Sequence, residues 1–175
     1  MTMDVLEAIA RKRMVRNFAD RPLADDDLRR IVDAGRRAAS SKNKQRWEFI
    51  VVRDRERLRD LAVVGPWAGH LAAAAAGIAL VTPDPRAPGA SPSIMFDLGQ
   101  AAGSIMLAAW ALGIGTCPVT VYEPDLARRI LGYPADRHCE YLLSAGYPAD
   151  PAELTRAPRS GGRRPLDDVL HEERW

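Results

Sequence analysis

A group of basic residues lies near the start of the chain, where a predicted helix gives way to a loop. Lys12, Arg13 and Arg16 fall within five residues of one another. Three cations so placed could bind a phosphate group through charge-assisted hydrogen bonds. Basic side chains also commonly cap the last carbonyl groups of a helix. Taken alone, this segment favours helix capping, with phosphate binding as the alternative.

A second candidate segment, residues 39–47, connects a predicted helix to a predicted strand with the sequence ASSKNKQRW. Its hydroxyl, amide and ammonium groups could hydrogen-bond a polar ring or a polyol chain. A solvated connecting loop would have the same composition. The segment by itself therefore leaves ligand binding and simple connection open.

Two further segments contain glycine or arginine in positions that could serve a ligand. Gly113 and Gly115 would let the backbone pass close to a flat molecule, although a helix stop also explains them. They do not form a dinucleotide-binding fingerprint, because that motif follows a strand and opens a helix. Arg163 and Arg164 stand in a glycine-rich tail that could reach a phosphate group or could be disordered.

The composition of the chain limits the classes of function. With 175 residues, 47% of them hydrophobic and 27% charged, the chain has the size and composition of one globular domain. A net charge of +2, with basic residues spread along the sequence, argues against a nucleic-acid-binding protein. Cys117 and Cys139 lack metal-ligand spacing and are too few for a disulfide framework. We therefore expect two packed thiols, no metal and a cytoplasmic protein.

The chain is not expected to enter a membrane. Its first residues, MTMDVLEAIARKR, lack the apolar core of a secretion signal. Residues 98–122 carry no formal charge and are long enough to span a bilayer. They also contain polar side chains and a break at Gly113 and Gly115, which favours a buried helix followed by a turn and a strand.

Hydrophobic periodicity and end signals divide the chain into helices and strands. Predicted helices cover 4–12, 24–38, a short stretch from Asp54, a stretch after Pro66, 93–112, and a segment that Pro124 opens and Gly132 ends. Predicted strands cover 47–52, 77–82, 116–121 and 140–145, and the proline-rich residues 83–92 form a loop.

The order of these elements favours an α+β fold. We expect a three-layer α-β-α sandwich around a mostly antiparallel sheet of about four to five strands. Residues 1–175 are expected to form one domain, with 148–175 as an extended C-terminal arm. The helix at 93–112 is apolar on nearly every face and should be buried all round. A chain of this size cannot cover such a helix alone, which predicts a homodimer built on this central helix.

The ordered set of segments resembles the nitroreductase family of FMN enzymes. Residues 12–18, KRMVRNF, resemble the family's RRSxRxF, and ASSKNKQRW is similar to its PSxxNxQPW. Residues 97–116 resemble the family's central helix, DxGxAxQNLxLAAxxLGLGS, and residues 145–148 resemble its GYP turn. The segment RRPLDDV, residues 163–169, is similar to the terminal RxPLEEVV. The resemblance covers nearly the whole chain.

This resemblance implies a dimer around the central helix with two FMN sites at the subunit interface. The FMN-binding residues that it implies fall into three groups. Around the phosphate and the ribityl chain they are Lys12, Arg13, Met14 (through its backbone alone), Arg16, Arg163 and Arg164. Near the ribityl chain and the ring edge, from the other subunit, they are Ser40, Asn43 and Gln45. Along one face of the isoalloxazine they are Pro118, Val119 and Thr120.

The activity implied by the resemblance is ping-pong hydride transfer. NADH or NADPH would reduce flavin N5, and a small electron-poor acceptor such as a nitroaromatic or a quinone would then be reduced. Arg16 is the candidate cation that stabilises the reduced ring near N1. No side chain is assigned as acid or base, and His70, His138 and His171 are expected at the surface or at helix caps. The alternatives are flavin-dependent dehydrogenation, oxygen-dependent flavin fragmentation and flavin binding without turnover.

The chain departs from the family pattern in two ways. Ala39 and Arg46 replace two prolines of PSxxNxQPW, so this loop is expected to run differently. The chain is also short, and only the loop at 83–92 stands where longer members insert helices over the flavin. The pocket is therefore expected to be open or differently covered.

Overall fold

The computed structural model describes residues 4–157 and 162–175. Within them lie the helices α1 (Val5–Arg11), α2 (Asp25–Arg36), α3 (Arg55–Leu61), α4 (Ser93–Ala111) and α5 (Pro124–Leu131). The strands are β1 (Glu48–Val52), β2 (Ala76–Pro83), β3 (Gly115–Thr120) and β4 (Arg137–Gly146). Short 3-10 turns cover Ser41–Asn43, Gly69–Ala73, Pro151–Leu154 and Leu166–Asp168.

The four strands pair antiparallel in the order β1-β2-β4-β3. β2 and β4 are central, whereas β1 and β3 form the two edges. The N-terminal segment extends the β3 edge through a parallel bridge between Met14 and Thr116. The antiparallel four-stranded sheet confirms the fold class expected from the sequence.

Side chains of the central strands alternate between two hydrophobic clusters, one on each face of the sheet. On β2, Ile78 and Leu80 pack with residues of α2 and α4, whereas Ala79 and Val81 pack with residues of α3 and α5. Because helices cover both faces, β2 is apolar and buried at nearly every position. The layers are therefore helix, sheet and helix, as predicted.

α2 approaches α4 closely because Gly35 has no side chain. A Cβ atom built on Gly35 would lie 2.6 Å from Cγ1 of Ile105 and 3.3 Å from the carbonyl oxygen of Ala101. Ile105 is fully buried, so an added methyl group would force the two helices to shift. This contact fixes which side of α4 faces the core.

Within the single chain, α4 is buried on one side only. Leu98 and Ile105 face the core, whereas Phe96 is 72% exposed. A Cβ atom added to Gly99 or Gly103 would meet nothing within 4 Å. One chain alone therefore does not bury this helix all round, because its small size leaves no second layer beyond α4. The 19 residues of α4 are long and apolar enough to cross a membrane, a property that core helices of soluble proteins share.

Several local expectations differ from the structure. The apolar residues Val5, Leu6 and Ile9 of α1 are all exposed, because this short helix lies at the rim of the fold. The stretch after Pro66 forms a 3-10 turn over Gly69–Ala73 instead of an α-helix. The chain enters β2 directly afterwards, and this leaves room for i→i+3 hydrogen bonds only.

The C-terminal arm is extended only in part. Pro148 pairs with Phe18 in an antiparallel bridge, and a 3-10 turn follows at Pro151–Leu154. Residues 158–161, which belong to the arm predicted as extended, lie outside the described residues. β4 is also longer than the predicted strand at 140–145, since it begins at Arg137 and ends at Gly146.

Candidate functional site

The basic N-terminal segment lies directly beside the edge strand β3. The backbone N–H of Val15 donates to the carbonyl oxygen of Thr116 at 3.0 Å, and the side chain of Val15 is fully buried. A Cβ atom built on Gly115 would lie 2.5 Å from the Cβ of Val15. Gly115 is therefore required for this close approach, which joins two segments that the sequence analysis had found separately.

The cations of this segment meet an arginine of the C-terminal arm. Burial, followed by the positive charges of Arg163 and Arg13, lowers the pKa of Lys12 from its usual value. In residues 4–157 and 162–175, neither these three residues nor Arg16 forms a salt bridge with a carboxylate. Like charges held together without counter-charges favour the binding of an anion.

Arg13 also performs the capping role that was weighed against phosphate binding. Its Nη1 atom donates to the carbonyl oxygens of Ala10 and Lys12, both at 2.9 Å. The other guanidinium nitrogens of Arg13 make no hydrogen bond to the part of the chain that the structure describes. Helix capping and anion binding are thus compatible at this residue.

Side chains of β3 alternate between the core and the exposed face. Cys117 and Val119 are about 1% exposed, and Val119 packs in the cluster of α3 and α5. Pro118 and Thr120 are exposed on the opposite face of the sheet. The structure thus brings Pro118 and Thr120 together, whereas the side chain of Val119 lies away from them in the core.

The backbone N–H of Thr120 on β3 is left unused by the described residues at the edge of the sheet. Val121 donates its backbone N–H to the carbonyl oxygen of Glu140 on β4. Every second residue of an antiparallel strand points its backbone groups at the partner strand, so Thr116, Pro118 and Thr120 point theirs away from β4. Thr116 uses its outward carbonyl to accept from the N-terminal segment, and Pro118 has no N–H group. The outward N–H of Thr120 has no backbone acceptor among the described residues and is available to a ligand.

Residues 64–70, which were not predicted as part of the site, lie beside residues 12–16 and β3. Tyr122 donates its backbone N–H to the carbonyl of Val64 at 2.8 Å. A Cβ atom built on Gly65 would lie 2.6 Å from the carbonyl oxygen of Thr120. These contacts place the segment beside the exposed end of β3. The term "β3 cleft" below denotes the space bordered by residues 12–16, β3 and residues 64–70.

His70 is the last residue of the segment 64–70. Its Nδ1 atom lies 2.9 Å from Oγ of Ser144, which is fully buried and donates to the carbonyl oxygen of Cys117 at 3.3 Å. Burial, followed by the charge of Arg16, lowers the pKa of His70 from its usual value. His70 is therefore half-buried and held by Ser144, at the border between surface and core. A lone histidine in a loop carries no sequence signal for such a partner, because Ser144 is distant in the chain.

The other histidines and the cysteines lie outside this arrangement. His138 is buried and its Nε2 lies 2.6 Å from Oε2 of Glu140, so its expected position at the surface or at a helix cap is wrong. His171 is exposed, as expected, and stacks on Trp175. Both cysteines are free and buried, and burial raises the pKa of Cys139 to about 12. The expectation of packed thiols is confirmed.

The polar loop that contains residues 40–45 has an unusual backbone. Lys42, Asn43 and Gln45 adopt left-handed φ angles of 52°, 53° and 47°. The backbone N–H of Ser41 donates to both carboxylate oxygens of the buried Asp97, at 3.1 and 3.2 Å. Such backbone strain in residues other than glycine persists where neighbouring contacts impose it, and it is concentrated at binding sites.

Within one chain, this loop is far from the basic segment. The loop precedes β1 at one edge of the sheet, whereas residues 12–16 lie beyond β3 at the other edge. Three strand spacings of about 4.8 Å separate the two edges by roughly 14 Å. Ser40, Asn43 and Gln45 are therefore not brought to the β3 cleft of their own chain. Gln45 instead donates to Oγ of Ser40 and to Oδ1 of Asn43, both at 3.0 Å.

The loop after β2 is held near the beginning of β4. Arg86 donates to Oε2 of Glu140 at 2.9 Å. Residues 84–92 contain no helix or strand, as their prolines predicted. In the part of the chain that the structure describes, no group of three His, Cys, Asp or Glu side chains is arranged to hold a metal ion.

Comparison with known proteins identifies the family that this chain resembles. The model of the nitroreductase family matches residues 9–79 and 65–147. A protein of Archaeoglobus fulgidus with the provisional name NADH dehydrogenase/NAD(P)H nitroreductase is 34% identical over 178 residues, which cover 98% of this chain and 99% of that protein. A Bacillus subtilis protein named FMN reductase [NAD(P)H] is 27% identical over 77% of this chain and 67% of its own length.

A solved structure shares the fold. The crystal structure of a protein from Parabacteroides distasonis, which carries the same provisional name as the Archaeoglobus protein, superposes with a TM-score of 0.85. The two chains are 26% identical, and the match covers 98% of each. The similarity therefore extends over the helices, the sheet and the C-terminal arm.

The close approach at Gly115 generates a first prediction. Gly115→Ala places a methyl group against the buried Val15, so the free energy of unfolding should fall by about 1–3 kcal/mol. Urea denaturation measures the change. Gly69→Ala is the matched control, because a Cβ atom there meets nothing within 4 Å. A Gly115→Ala protein as stable as the control would contradict the described packing.

Proposed function

Because the chain belongs to the nitroreductase family, we propose that it is an FMN-dependent NAD(P)H oxidoreductase that works as a homodimer. The observation that carries the proposal is the convergence of uncompensated cations from residues 12–16 and from Arg163 beside the open edge of β3. A phosphate dianion would neutralise this charge through charge-assisted hydrogen bonds. FMN joins such a phosphate to a flat polar ring, so the groups of the β3 cleft fit this cofactor.

The two ends of the cleft would have different tasks. Lys12, Arg13 and Arg163 would bind the phosphate, and Arg164, the next residue in the chain, would close on it. Arg16 stands four residues after Lys12, at most roughly 13 Å further along the segment. That separation suits a ligand with a phosphate at one end and a ring at the other.

The ring end of the cleft offers contacts of three kinds. The outward N–H of Thr120 would donate to the edge of the ring, and the exposed side chains of Pro118 and Thr120 would lie against its face. Val119 and Met14 would contribute through their backbones. Arg16 would stabilise negative charge on the ring, because a fixed cation in a partly dry site costs no reorganisation during the reaction.

The bound FMN would supply hydride transfer from NADH or NADPH to a small electron-poor acceptor such as a nitroaromatic or a quinone, in ping-pong order. The chain's own residues would bind this cofactor, orient it and restrict water on one side. Tyr122, two residues after Thr120, is exposed and covers Gly65, with Cδ2 at 3.0 Å from a built Cβ. Trp67, two residues after Gly65, is exposed as well. Their rings would favour flat acceptors.

An apolar surface supports the homodimer. Val5, Leu6 and Ile9 of α1 are exposed, α1 packs against α4, and Phe96 of α4 is also exposed. Large apolar side chains left exposed on packed helices are typical of an interaction surface. A second copy would cover it and would complete the burial of α4.

The homodimer also accounts for the polar loop. Ser40, Asn43 and Gln45 lie across the sheet from the β3 cleft of their own chain, so only a second copy could bring them to it. The contact between Ser41 and Asp97 ties this loop to α4, which is the helix at the proposed interface. A loop so anchored would reach the partner's cleft as a preformed unit.

The relatives and the thiols support the remaining parts of the proposal. The Bacillus subtilis relative is named for both FMN and NAD(P)H. The two free, buried cysteines agree with a reducing, cytoplasmic location. The proposal includes no nucleic-acid or membrane partner, since the long apolar helix α4 packs one side into the core.

The direct test of the proposed function uses purified protein loaded with FMN. We expect a flavin absorption spectrum and steady oxidation of NADH or NADPH in the presence of a nitroaromatic or a quinone. Heat-released flavin should be identified as FMN by chromatography. A protein that stays colourless after incubation with FMN would overturn the proposal.

The phosphate assignment generates its own prediction. Lys12→Ala with Arg163→Ala should weaken FMN binding by about 3–6 kcal/mol, because each charge-assisted hydrogen bond contributes about 1.5–3 kcal/mol. Fluorescence titration of FMN measures the affinity. Arg59→Ala with Arg129→Ala removes two exposed cations outside the proposed site and should leave the affinity unchanged. Equal losses in the two double variants would show a general charge effect and contradict the assignment.

A further inference from the structure

The imidazole of His70 is held in its orientation by a hydrogen bond to Ser144. A hydroxyl group has a single proton, and Ser144 uses it towards the carbonyl oxygen of Cys117. With the Ser144 proton so placed, the contact between His70 Nδ1 and Ser144 Oγ has Nδ1 as the donor, which is the tautomer that the proposal uses. In the neutral imidazole, the lone pair is therefore on Nε2.

The Nε2 atom of His70 is accessible and has no hydrogen-bond partner among the described residues. Among those residues, the one fully buried side-chain nitrogen or oxygen without a partner is Nε of Arg128, so Nε2 of His70 is not fully buried. Nε2 is thus within reach of solvent or a ligand. The imidazole stands near Arg16, the residue proposed to act at the ring end of the cleft.

The charged groups around His70 favour its neutral form while the cleft holds no anion. The N-terminal segment contributes Arg16, whose charge lowers the pKa of the imidazole after burial has done so. β3 contributes Cys117, whose pKa is raised by burial, and β4 contributes the neutral Ser144. From α3, Arg55 binds the carbonyl of Ala74 and the carboxylate of Asp20.

We propose that His70 is a switchable positive charge in the cleft: Nε2 takes up one proton from solvent when the bound cofactor is reduced, and Ser144 holds the imidazole in place for this role. The inference rests on the proposed function for the source of the negative charge. Arg16 cannot perform this task, because a guanidinium keeps its proton in both states. An imidazole can gain and lose one near neutral pH.

The proton balance of the overall reaction agrees with this role. NAD(P)H delivers two electrons and one proton, whereas reduction of a quinone to a hydroquinone needs two electrons and two protons. The second proton comes from solvent and resides on Nε2 until the electrons leave. It then passes to the acceptor, and the neutral imidazole is restored.

The test is the pH dependence of the midpoint potential of bound FMN, measured in wild type and in His70→Gln. Glutamine can hydrogen-bond but cannot titrate in this range. In wild type, we expect the protein to take up two protons per two electrons at pH values between the pKa of His70 in the oxidised protein and its higher pKa in the reduced protein. The variant should take up one proton per two electrons. The slope of potential against pH is therefore twofold steeper in wild type. His171→Gln, a loss of an exposed histidine, should retain the wild-type slope.

A second measurement covers the case in which His70→Gln does not fold. An NMR titration of His70 in the FMN-loaded wild type should give a higher imidazole pKa in the reduced protein than in the oxidised one. In Ser144→Ala, this difference should become smaller, because the ring is no longer held towards the cleft.

Equal slopes in wild type and His70→Gln, or an imidazole pKa that is unchanged on reduction, would overturn the role of His70 while FMN binding stands. A protein that binds no FMN would overturn the proposed function together with this inference. The two failures are distinguished by the flavin spectrum of the loaded sample.

Discussion

The pairing of the N-terminal segment with the edge of β3 is the contact on which the cleft depends. Gly115 lets the Val15 backbone approach β3, and the buried Val15 side chain holds the segment there. This pairing uses the outward carbonyl of Thr116, and it leaves the outward N–H of Thr120 free. It therefore creates a sheet edge that is closed at one end and open at the other.

The same pairing concentrates positive charge at a place where no carboxylate of the described residues compensates it. Lys12 is partly buried beside Arg13 and Arg163, and the described residues supply no carboxylate to these cations. Several arginines elsewhere do pair with carboxylates, as Arg86 does with Glu140. A group of neighbouring cations without carboxylate partners is typical of a binding site, where the ligand supplies the negative charge. The strained polar loop at 40–45 is a second such feature.

The fold could be predicted from local features because its elements have clear ends and periodicity. Asp4 caps α1 by accepting from the backbone N–H groups of Leu6 and Glu7. Gly132 ends α5 with a left-handed φ of 72°. The outward direction of Val5, Leu6 and Ile9 could not be predicted, because an apolar stripe does not reveal whether its own chain or another chain covers it.

The candidate site was only partly predictable for a related reason. Its basic residues are adjacent in sequence, so their grouping was visible. His70 was not, because its partner Ser144 lies on a distant strand. The left-handed φ of Asn43 and Gln45 was also hidden, since neither is glycine. The N–H of Thr120 is free because of strand order and register, which a single sequence does not specify.

The central claim, a flavin site shared between two copies, is tested most directly by mixing two defective chains. One carries Lys12→Ala with Arg163→Ala. The other carries Asn43→Gly with Gln45→Gly, since glycine tolerates the left-handed backbone there. Co-expressed with different tags, they should form heterodimers with one intact and one doubly defective site. The account predicts one tightly bound FMN per heterodimer. A heterodimer that binds FMN no better than either parent would contradict it.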